Sequence, residues 1–356
     1  MKVLTLVPNQ KGYSPGQRGS IELWEKVLGP AGISLDFAPF ETEKLRHILH
    51  THKSRWSKSA EMIRAYFDRI GLISRLDSYD AVFVYREAAL IGPALLEKMI
   101  ARKKPIIYQL DDPLFVPYKS PTNGFFSYLK FFGKIKEIIR ISKVVMVNST
   151  PIGQYAEQFN ANVWYVPSVV DTDKFVYDLS DQDRRPVCVG WSGSPTTARN
   201  LKMIEHPLRR LSDKSNLGFK FIGADDFGLT GVRHEAKRWD VLTEVDDLRT
   251  IHIGLVPLPD DNPWNPYKFI MKTAQYMALG IVPVATPSAS NLEVIRSGEN
   301  GFLAATDDEW VDRIELLSTD HDLRRGMSRT AVEDAKGRYS LAANADKIVA
   351  AFRSAV

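Results

Sequence analysis

Cysteine is nearly absent from this chain of 356 residues, which contains only Cys188. A single cysteine cannot form an intramolecular disulfide, so the sequence excludes a disulfide-stabilised secreted fold and favours a reducing compartment. The seven histidines show no spacing typical of a zinc site. We therefore expect a fold that is stabilised by hydrophobic cores, without disulfides or a bound metal.

Long apolar runs are missing too. No window approaches the roughly 20 apolar residues of a membrane-spanning helix, and residues 1–7 lack the apolar core and cleavage site of a signal peptide. We expect a soluble, cytoplasmic protein that at most lies on the inner face of a membrane. Residues 1–176 carry 24 Lys and Arg against 17 Asp and Glu. This basic half could attract anionic substrates or lipid, or be only a solvated face.

The chain does contain a series of short runs rich in Val and Ile, separated by longer stretches with helical spacing. Buried apolar strands that alternate with helices are typical of parallel sheets covered on both faces. The predicted strands are residues 3–7, 81–85, 105–110, 144–148, 163–166, 187–191, 219–223, 253–258 and 282–286. The polar stretch 180–186 predicts a linker between two sets of strands. The fold class is thus α/β, with two doubly wound, Rossmann-like parallel-sheet domains.

Charged side chains follow the first strands, where open parallel sheets bind their ligands. Arg18 lies in a long, flexible loop after the first strand, and Arg86 follows the second. Both could bind an acceptor phosphate or carboxylate through their forked donors. For Arg86 the alternative is an ion pair with Glu87 or Asp111.

Asp111 and Asp112 follow the strand 105–110 directly. Consecutive side chains of a strand point in opposite directions, so we expect one of the two to face the site. That carboxylate could accept a proton from an acceptor hydroxyl or bind sugar hydroxyls. The alternative is that Asp112, which precedes Pro113, only forms a turn.

Two lysines, Lys268 and Lys272, stand near the predicted start of a helix that ends at Gly280. A helix N-terminus offers unpaired N–H groups and positive potential, which suit a phosphate. Residues four apart share a helix face, so the two ammonium groups would reinforce that site. The alternative is that both lysines are only solvated.

The stretch 266–285, with its Lys-x-x-x-Lys-x-x-Gln-Tyr-Met-Ala-x-Gly pattern, resembles the donor-binding signature of the retaining glycosyltransferases of family 4, which have the two-domain GT-B fold. Further similar segments occur in the family's order, at 170–175, 190–194, 253–258, 291–295, 298–303 and 339–340. The resemblance implies an acceptor domain, 1–175, a nucleotide-sugar domain, 176–338, and a C-terminal helix, 339–356, that crosses back to the first domain. It also implies a cleft between the domains, sugar transfer with retention of configuration, no required metal and no cofactor besides the donor.

The donor site departs from the family pattern in two ways. Where most members have two glutamates, this chain has Tyr267 and Gln275; Gln275 can still hydrogen-bond a ribose hydroxyl. The usual Arg/Lys pair after the strand with Gly190 is also missing. Loop amides, Lys268 and Lys272 would then stabilise the leaving diphosphate, which makes Lys272 a catalytic candidate with Asp111 and Asp112. The expected donor-binding residues are Gly190, Ser192, Gly193, Ser194, Thr196, Trp239, Glu244, Tyr267, Lys268, Lys272, Gln275 and Glu293.

Three of these residues have ordinary structural alternatives. Trp239 and Glu244 lie near the place where the family seats the nucleotide base, but a tryptophan there is as easily part of a core. Glu293 could touch the donor sugar or only cap its own helix.

The stretch 123–143 interleaves aromatic and apolar residues with lysines and Arg140 at helical spacing. Such a helix could lie on an anionic membrane, with 47–69 as a second basic region, or pack on its own sheet with its cations in water. Nucleic-acid binding is not expected, because the chain is only mildly basic and contains no recognised module.

The acceptor is left open among polysaccharide, lipid-linked glycan and small-molecule glycoside. Two other classes of function remain. A sugar-nucleotide epimerase on the same fold would form product from the donor alone, since a fold does not fix the chemistry. A non-catalytic relative, favoured by the loss of the two glutamates, would bind nucleotide sugar without turnover.

Overall fold

The computed structural model describes residues 1–49, 55–117, 131–214, 216–259, 262–269 and 271–356. The chain forms two compact units, Met1–Ser168 with Asn344–Val356, and Val169–Ala343. The division between Ser168 and Val169 lies ahead of the predicted boundary after residue 175. The stretch 180–186, predicted as a linker, belongs to the second unit: there Gln182 is buried and accepts a hydrogen bond from Arg324 Nε at 3.1 Å.

The first unit is a six-stranded sheet with the order β2-β1-β3-β4-β5-β6, in which every neighbouring pair is parallel. The chain reverses its direction of winding between β1 and β3. Its strands are β1 (Lys2–Val7), β2 (Ser34–Pro39), β3 (Ala81–Tyr85), β4 (Ile106–Leu110), β5 (Val144–Val147) and β6 (Val163–Tyr165). Its helices are α1 (Pro15–Gln17), α2 (Leu23–Leu28), α3 (Glu43–Leu49), α4 (Arg55–Gly71), α5 (Leu95–Ala101), α6 (Lys134–Ile141) and α7 (Thr150–Glu157).

The second unit repeats this plan with the order β12-β11-β10-β7-β8-β9, again parallel throughout, and it reverses between β7 and β10. Its strands are β7 (Val187–Ser192), β8 (Leu217–Ile222), β9 (Glu235–Lys237), β10 (Ile253–Val256), β11 (Val282–Ala285) and β12 (Phe302–Leu303). The helices that follow are α8 (Pro195–Ala198), α9 (Glu205–Leu211), α10 (Glu244–Leu248), α11 (Met271–Ala278), α12 (Ala289–Val294), α13 (Asp307–Thr319), α14 (His321–Asp334) and α15 (Leu341–Arg353).

The predicted fold class is confirmed, and each of the nine predicted runs forms a strand. The three strands that were not predicted, β2, β9 and β12, all lie at sheet edges. An edge strand exposes one side to water and needs fewer apolar residues, so its sequence lacks the run that reveals a central strand.

Helix α6 shows how the central strands are covered. Ile135, Ile138 and Ile139 are fully buried, so this part of the predicted basic stretch packs within its own unit. Lys134 was expected among the solvated cations, but its side chain is buried and forms an ion pair with Glu87 at 2.9 Å. Residues 118–130 of that region lie outside the described part of the chain. No helix in the described ranges is long and apolar enough to cross a membrane.

The C-terminal helix α15 ends in the first unit, to which Asn344–Val356 belong. The Phe352 ring stacks on Phe83 of β3, with centroids 5.3 Å apart, and meets Trp24 of α2 edge-on at 6.4 Å. All three rings are buried. The end of the chain therefore completes the core of the first unit.

Replacement of Phe352 by alanine should lower the free energy of unfolding by about 3–5 kcal/mol, because it leaves a cavity between two aromatic rings. Val356→Ala is the matched control, since Val356 is 75% exposed, and it should change the stability by less than about 0.5 kcal/mol. Denaturant unfolding followed by tryptophan fluorescence checks both. Equal stability of the two variants would show that the C-terminal helix does not contribute to this core.

Candidate active site

The carboxyl ends of β7 and β10 meet at the point where the second sheet reverses its winding, which is where such sheets bind ligands. The pairing of β7 with β8 runs through Ser192, whereas its pairing with β10 includes only Val189 and Gly190 within the described residues. The two central strands therefore separate before β7 ends. Helix α11 and the turn at Gly193 lie at this opening.

Lys272, in the first turn of α11, is half-buried beside that turn. Its Nζ lies 4.2 Å from the centroid of the Trp191 ring, and a Cβ atom added at Gly193 would collide with both Lys272 Nζ and that ring. Among the described residues no carboxylate lies within ion-pair distance of this ammonium. Burial, reinforced by the Lys268 ammonium, lowers the pKa of Lys272 to about 7. At neutral pH this amine is therefore only partly protonated; its charged form is stabilised by the aromatic ring and has no counter-ion among the described residues.

The expectation that Lys268 shares a helix face with Lys272 is wrong. It follows the short 3-10 turn Asn265–Tyr267 in an extended conformation, with φ −74° and ψ 128°, and α11 is described from Met271. The two charges nevertheless interact through space, because Lys268 contributes to the lowered pKa of Lys272. The positive potential near α11 therefore has two sources.

The expectation that the backbone amides of residues 192–194 are available to a phosphate is also wrong, because all three N–H groups already donate hydrogen bonds within the protein. Ser192 N–H donates to Tyr276 Oη at 2.8 Å, and Gly193 N–H donates to Ile222 O at 2.9 Å. Ser194 N–H donates to Thr197 Oγ1 at 3.2 Å, as part of the capping box of α8. The exposed hydroxyls of Ser194 and Thr196, 2.9 Å apart, are the groups that this loop presents.

Of the other residues expected to bind the donor, some lie near Lys272 and some are buried in the core. Gln275 is half-buried on α11, one turn after Lys272, and Tyr267 is half-buried in the 3-10 turn. Gly190 is buried within β7, and Ile251 packs so tightly on it that a Cβ atom would collide. Gly190 therefore contributes to packing and not to a ligand loop.

Trp239 and Glu244 contact each other at the end of β9. Trp239 is 38% exposed, so it is not a core residue, and its Nε1 donates to Glu244 Oε1 at 3.2 Å. Lys174 donates to the other Glu244 oxygen at 2.6 Å. Glu293 is half-buried in α12, and Ser288, not Glu293, caps that helix by accepting from Asn291 N.

In the first unit, the side chains expected at the strand ends form one ion cluster. Arg86 donates from Nε to Asp111 Oδ1 at 2.7 Å and from Nη2 to Asp111 Oδ2 at 3.0 Å. Arg86 Nη2 is also 2.7 Å from Asp112 Oδ2. The pairing of Arg86 with Asp111 is the structural alternative expected from the sequence, and it leaves few donors of Arg86 for an acceptor phosphate.

Tyr85 is the fourth member of this cluster, and nothing in the sequence predicted that role for it. Its hydroxyl donates to Asp111 Oδ2 at 2.5 Å. Burial raises the pKa of Tyr85. Arg86 lowers it, whereas Asp111 and Asp112 raise it further. The phenol therefore remains protonated and can donate a hydrogen bond. Asp111 and Asp112 outweigh the effect of burial and raise the pKa of Arg86. Asp112 is more exposed than Asp111, 20% against 9%, and within the described ranges its Oδ1 has no hydrogen-bond partner.

The loop after β1, expected to be flexible, is folded by hydrogen bonds. Gln17 is buried and donates to Asn9 O at 3.0 Å and to Glu22 Oε1 at 2.7 Å. Arg18 is half-buried in the π-helical segment Arg18–Glu22 that follows α1. In the part of the chain that the structure describes, no three His, Cys, Asp or Glu side chains lie together as metal ligands.

No family model and no curated protein matches the sequence. Solved structures do match over nearly the whole chain. Anabaena HepE in complex with UDP-glucose has a TM-score of 0.67 at 14% identity and covers 100% of both chains. Sucrose-phosphate synthase from Thermosynechococcus elongatus has 0.70 at 11% identity, covering 99% of this chain and 98% of that one. A Rickettsia africae glycosyltransferase has 0.68 at 13% identity, covering 99% and 97%.

At such low identity these structures show the fold alone. Each is similar to this chain across both six-stranded parallel sheets and not only across one unit. The fold is therefore that of the two-domain GT-B proteins.

Replacement of Lys272 by methionine should stabilise the unliganded protein. The pKa of Lys272 is about 7 in the folded state and about 10.4 in an unfolded chain, so the cost of burying the charge is present below pH 7 and fades between these two values. We expect the free energy of unfolding to rise by roughly 2 kcal/mol at pH 6 and by less than half of that at pH 9. Thermal unfolding at both pH values measures this.

The control is Lys336→Met, because Lys336 is an exposed lysine of the same unit. It should leave the stability unchanged at either pH. A loss of stability in Lys272→Met at pH 6 would show that the contact of Lys272 with Trp191 outweighs the cost of burial.

Proposed function

We propose that this chain is a glycosyltransferase that moves a sugar from a nucleoside-diphosphate sugar to an acceptor hydroxyl. One observation carries the proposal: the Lys272 ammonium has no carboxylate partner among the described residues and lies at the switch point of the second sheet. A dianionic or trianionic phosphate group is the ligand that would neutralise it. The fold supports the proposal, and so do HepE structures that contain UDP or UDP-glucose.

The proposed chemistry uses charge stabilisation at the leaving group. Cleavage of the bond to the anomeric carbon places negative charge on the diphosphate, and Lys272 with Lys268 would stabilise that charge more in the transition state than in the ground state. Gln275 would bind the ribose and Tyr267 the sugar. We propose that transfer needs no metal, because these lysines supply the cations that a metal would otherwise provide. Retention of configuration is proposed on the sequence resemblance alone.

The remaining roles follow from exposure and pairing. Trp239 would stack on the base, oriented by Glu244, and Glu293 would contact the sugar. Asp112, which keeps an unpaired oxygen within the described residues, would bind or deprotonate the acceptor, with Asp111 and Arg86 holding it in place. Polysaccharide, lipid-linked glycan and small glycoside all remain candidate acceptors for a cytoplasmic enzyme. A lipid-linked acceptor would bring the protein to the inner face of a membrane.

Thermal stabilisation by UDP, GDP, dTDP and CDP, measured in EDTA, tests the donor site. A ligand at about 100 times its dissociation constant adds roughly 2.7 kcal/mol to the free energy of unfolding. We expect this shift with one nucleotide, a smaller shift in Lys272→Ala, and an unchanged shift in the control Lys336→Ala. Equal shifts in all three proteins would remove Lys272 from the phosphate site. The absence of any shift in the wild type would contradict the proposed function.

Asp111→Asn and Asp112→Asn should separate the two carboxylates. Asp112→Asn should lower sugar transfer at least about tenfold with little change in the melting temperature, because a proton acceptor is lost and the turn is kept. Asp111→Asn should instead lower the stability by roughly 1–2 kcal/mol, because Arg86 loses one of its two charged partners and keeps Asp112. Release of UDP from a UDP-sugar in an acceptor screen, with melting curves, measures both. Full activity of both variants would exclude these residues from the reaction.

A non-catalytic nucleotide-sugar-binding protein is the second candidate, and the replacement of two glutamates by Tyr267 and Gln275 favours it. Such a protein would show the nucleotide shift but release no UDP with any acceptor class. An epimerase would convert the donor sugar without acceptor, and analysis of the sugar product after incubation with donor alone distinguishes it.

A further inference from the structure

The backbone N–H of Ser192, at the end of β7, has no acceptor on the neighbouring strand in the described pairing. Gly193 N–H points towards β8, where it donates to Ile222 O at 2.9 Å. Because successive N–H groups of a strand point to opposite sides, Ser192 N–H points towards β10. The described pairing of β7 with β10 ends, however, at Gly190 and Gly254. A buried N–H without an acceptor would cost stability, so another group has to accept this hydrogen bond.

Tyr276 of α11 supplies that acceptor. Its hydroxyl oxygen accepts from Ser192 N–H at 2.8 Å, although the two residues are 84 positions apart. The ring is only 1% exposed. It packs against Gly254 of β10 so closely that a Cβ atom at that position would collide with it. The ring thus lies against β10 while its hydroxyl bonds to the end of β7.

We propose that Tyr276 is a positioning residue of the donor site, whose hydroxyl fixes the end of β7 and hence the Gly193 turn against the ammonium of Lys272. This inference rests on the proposed function, because it assigns the residue that holds the proposed phosphate site in place.

The arrangement of α11 explains why the position of β7 would depend on this bond. Lys272 and Tyr276 are four residues apart and share one face of the helix. The first contacts Trp191 and Gly193, and the second contacts Ser192. Helix α11 therefore determines the position of both the Lys272 ammonium and the backbone at Ser192 and Gly193 that faces it. Small displacements of such groups reduce binding and catalysis strongly.

The test is Tyr276→Phe, which removes the hydroxyl and keeps the ring. Tyr177→Phe is the matched control, since it deletes a half-buried tyrosine hydroxyl of the same unit that contacts Ser328 Oγ at 3.4 Å. Dissociation constants for UDP, GDP, dTDP and CDP are measured by calorimetry well below the melting temperature. Hydrogen exchange of the peptide that covers residues 187–194 reports directly on the Ser192 amide.

We expect Tyr276→Phe to bind the preferred nucleotide up to about tenfold more weakly, because binding would have to order the end of β7 without one hydrogen bond of ordinary strength. Exchange in that peptide should be faster. Tyr177→Phe should bind as the wild type does. An unchanged dissociation constant in Tyr276→Phe, alongside a lowered melting temperature, would overturn the inference and leave the proposed function intact. Equal weakening in both variants would also overturn it. Failure of the wild type to bind any of the four nucleotides would overturn the proposed function and this inference together.

Discussion

The Lys272 ammonium lies against the Trp191 ring and the Gly193 backbone, with no carboxylate near it in the described part of the second unit. A buried cation is tolerated when an aromatic face, hydrogen bonds or an anion offset its desolvation. Here the aromatic face offsets only part of it, as the lowered pKa of Lys272 shows. Such strain is typical of sites that are completed by a ligand, since structural positions usually replace the charge or pair it. The proposed phosphate site of this unit depends on that constraint.

In the first unit a half-buried cation, Arg86, is instead neutralised by carboxylates. Arg86 also follows a strand at the winding reversal of its sheet, but two carboxylates neutralise it and a tyrosine donates to one of them. Arg86 even adopts a left-handed backbone conformation, with φ +66°, which costs energy in a residue other than glycine. The cluster is therefore preorganised without a ligand. The two sheets share one topology, yet the cation of the first unit is neutralised by carboxylates, whereas that of the second has no carboxylate partner among the described residues.

The sequence was sufficient to predict the strands whose positions depend on hydrophobic burial. It was not sufficient to predict the features of the site that depend on contacts between residues distant in the sequence. Strands β3 and β4 were recognised because each is buried along its whole length. The edge strands β2, β9 and β12 escaped notice because exposure dilutes their apolar pattern. Lys268 was assigned to a helix because periodicity alone cannot show that Asn265–Tyr267 turns first. The amides of Ser192 and Gly193 were expected to be free because their acceptors, Tyr276 and Ile222, lie far away in the sequence.

Tyr267 and Gln275 are neutral, where most of the glycosyltransferases that this sequence resembles have glutamates, and this has an electrostatic consequence for the lysines beside them. A carboxylate at either position would partly neutralise Lys268 or Lys272 and compete with a phosphate for the same ammonium group. If Lys268 and Lys272 bind a diphosphate as proposed, neutral side chains there would leave their positive charge available to it, and hydrogen bonds alone would hold the sugar and the ribose. Binding energy would then be concentrated on the leaving group, where charge develops during transfer. In the proposed donor site these two residues would therefore weaken recognition of the sugar more than they weaken catalysis, so the absence of the glutamates is compatible with an active enzyme.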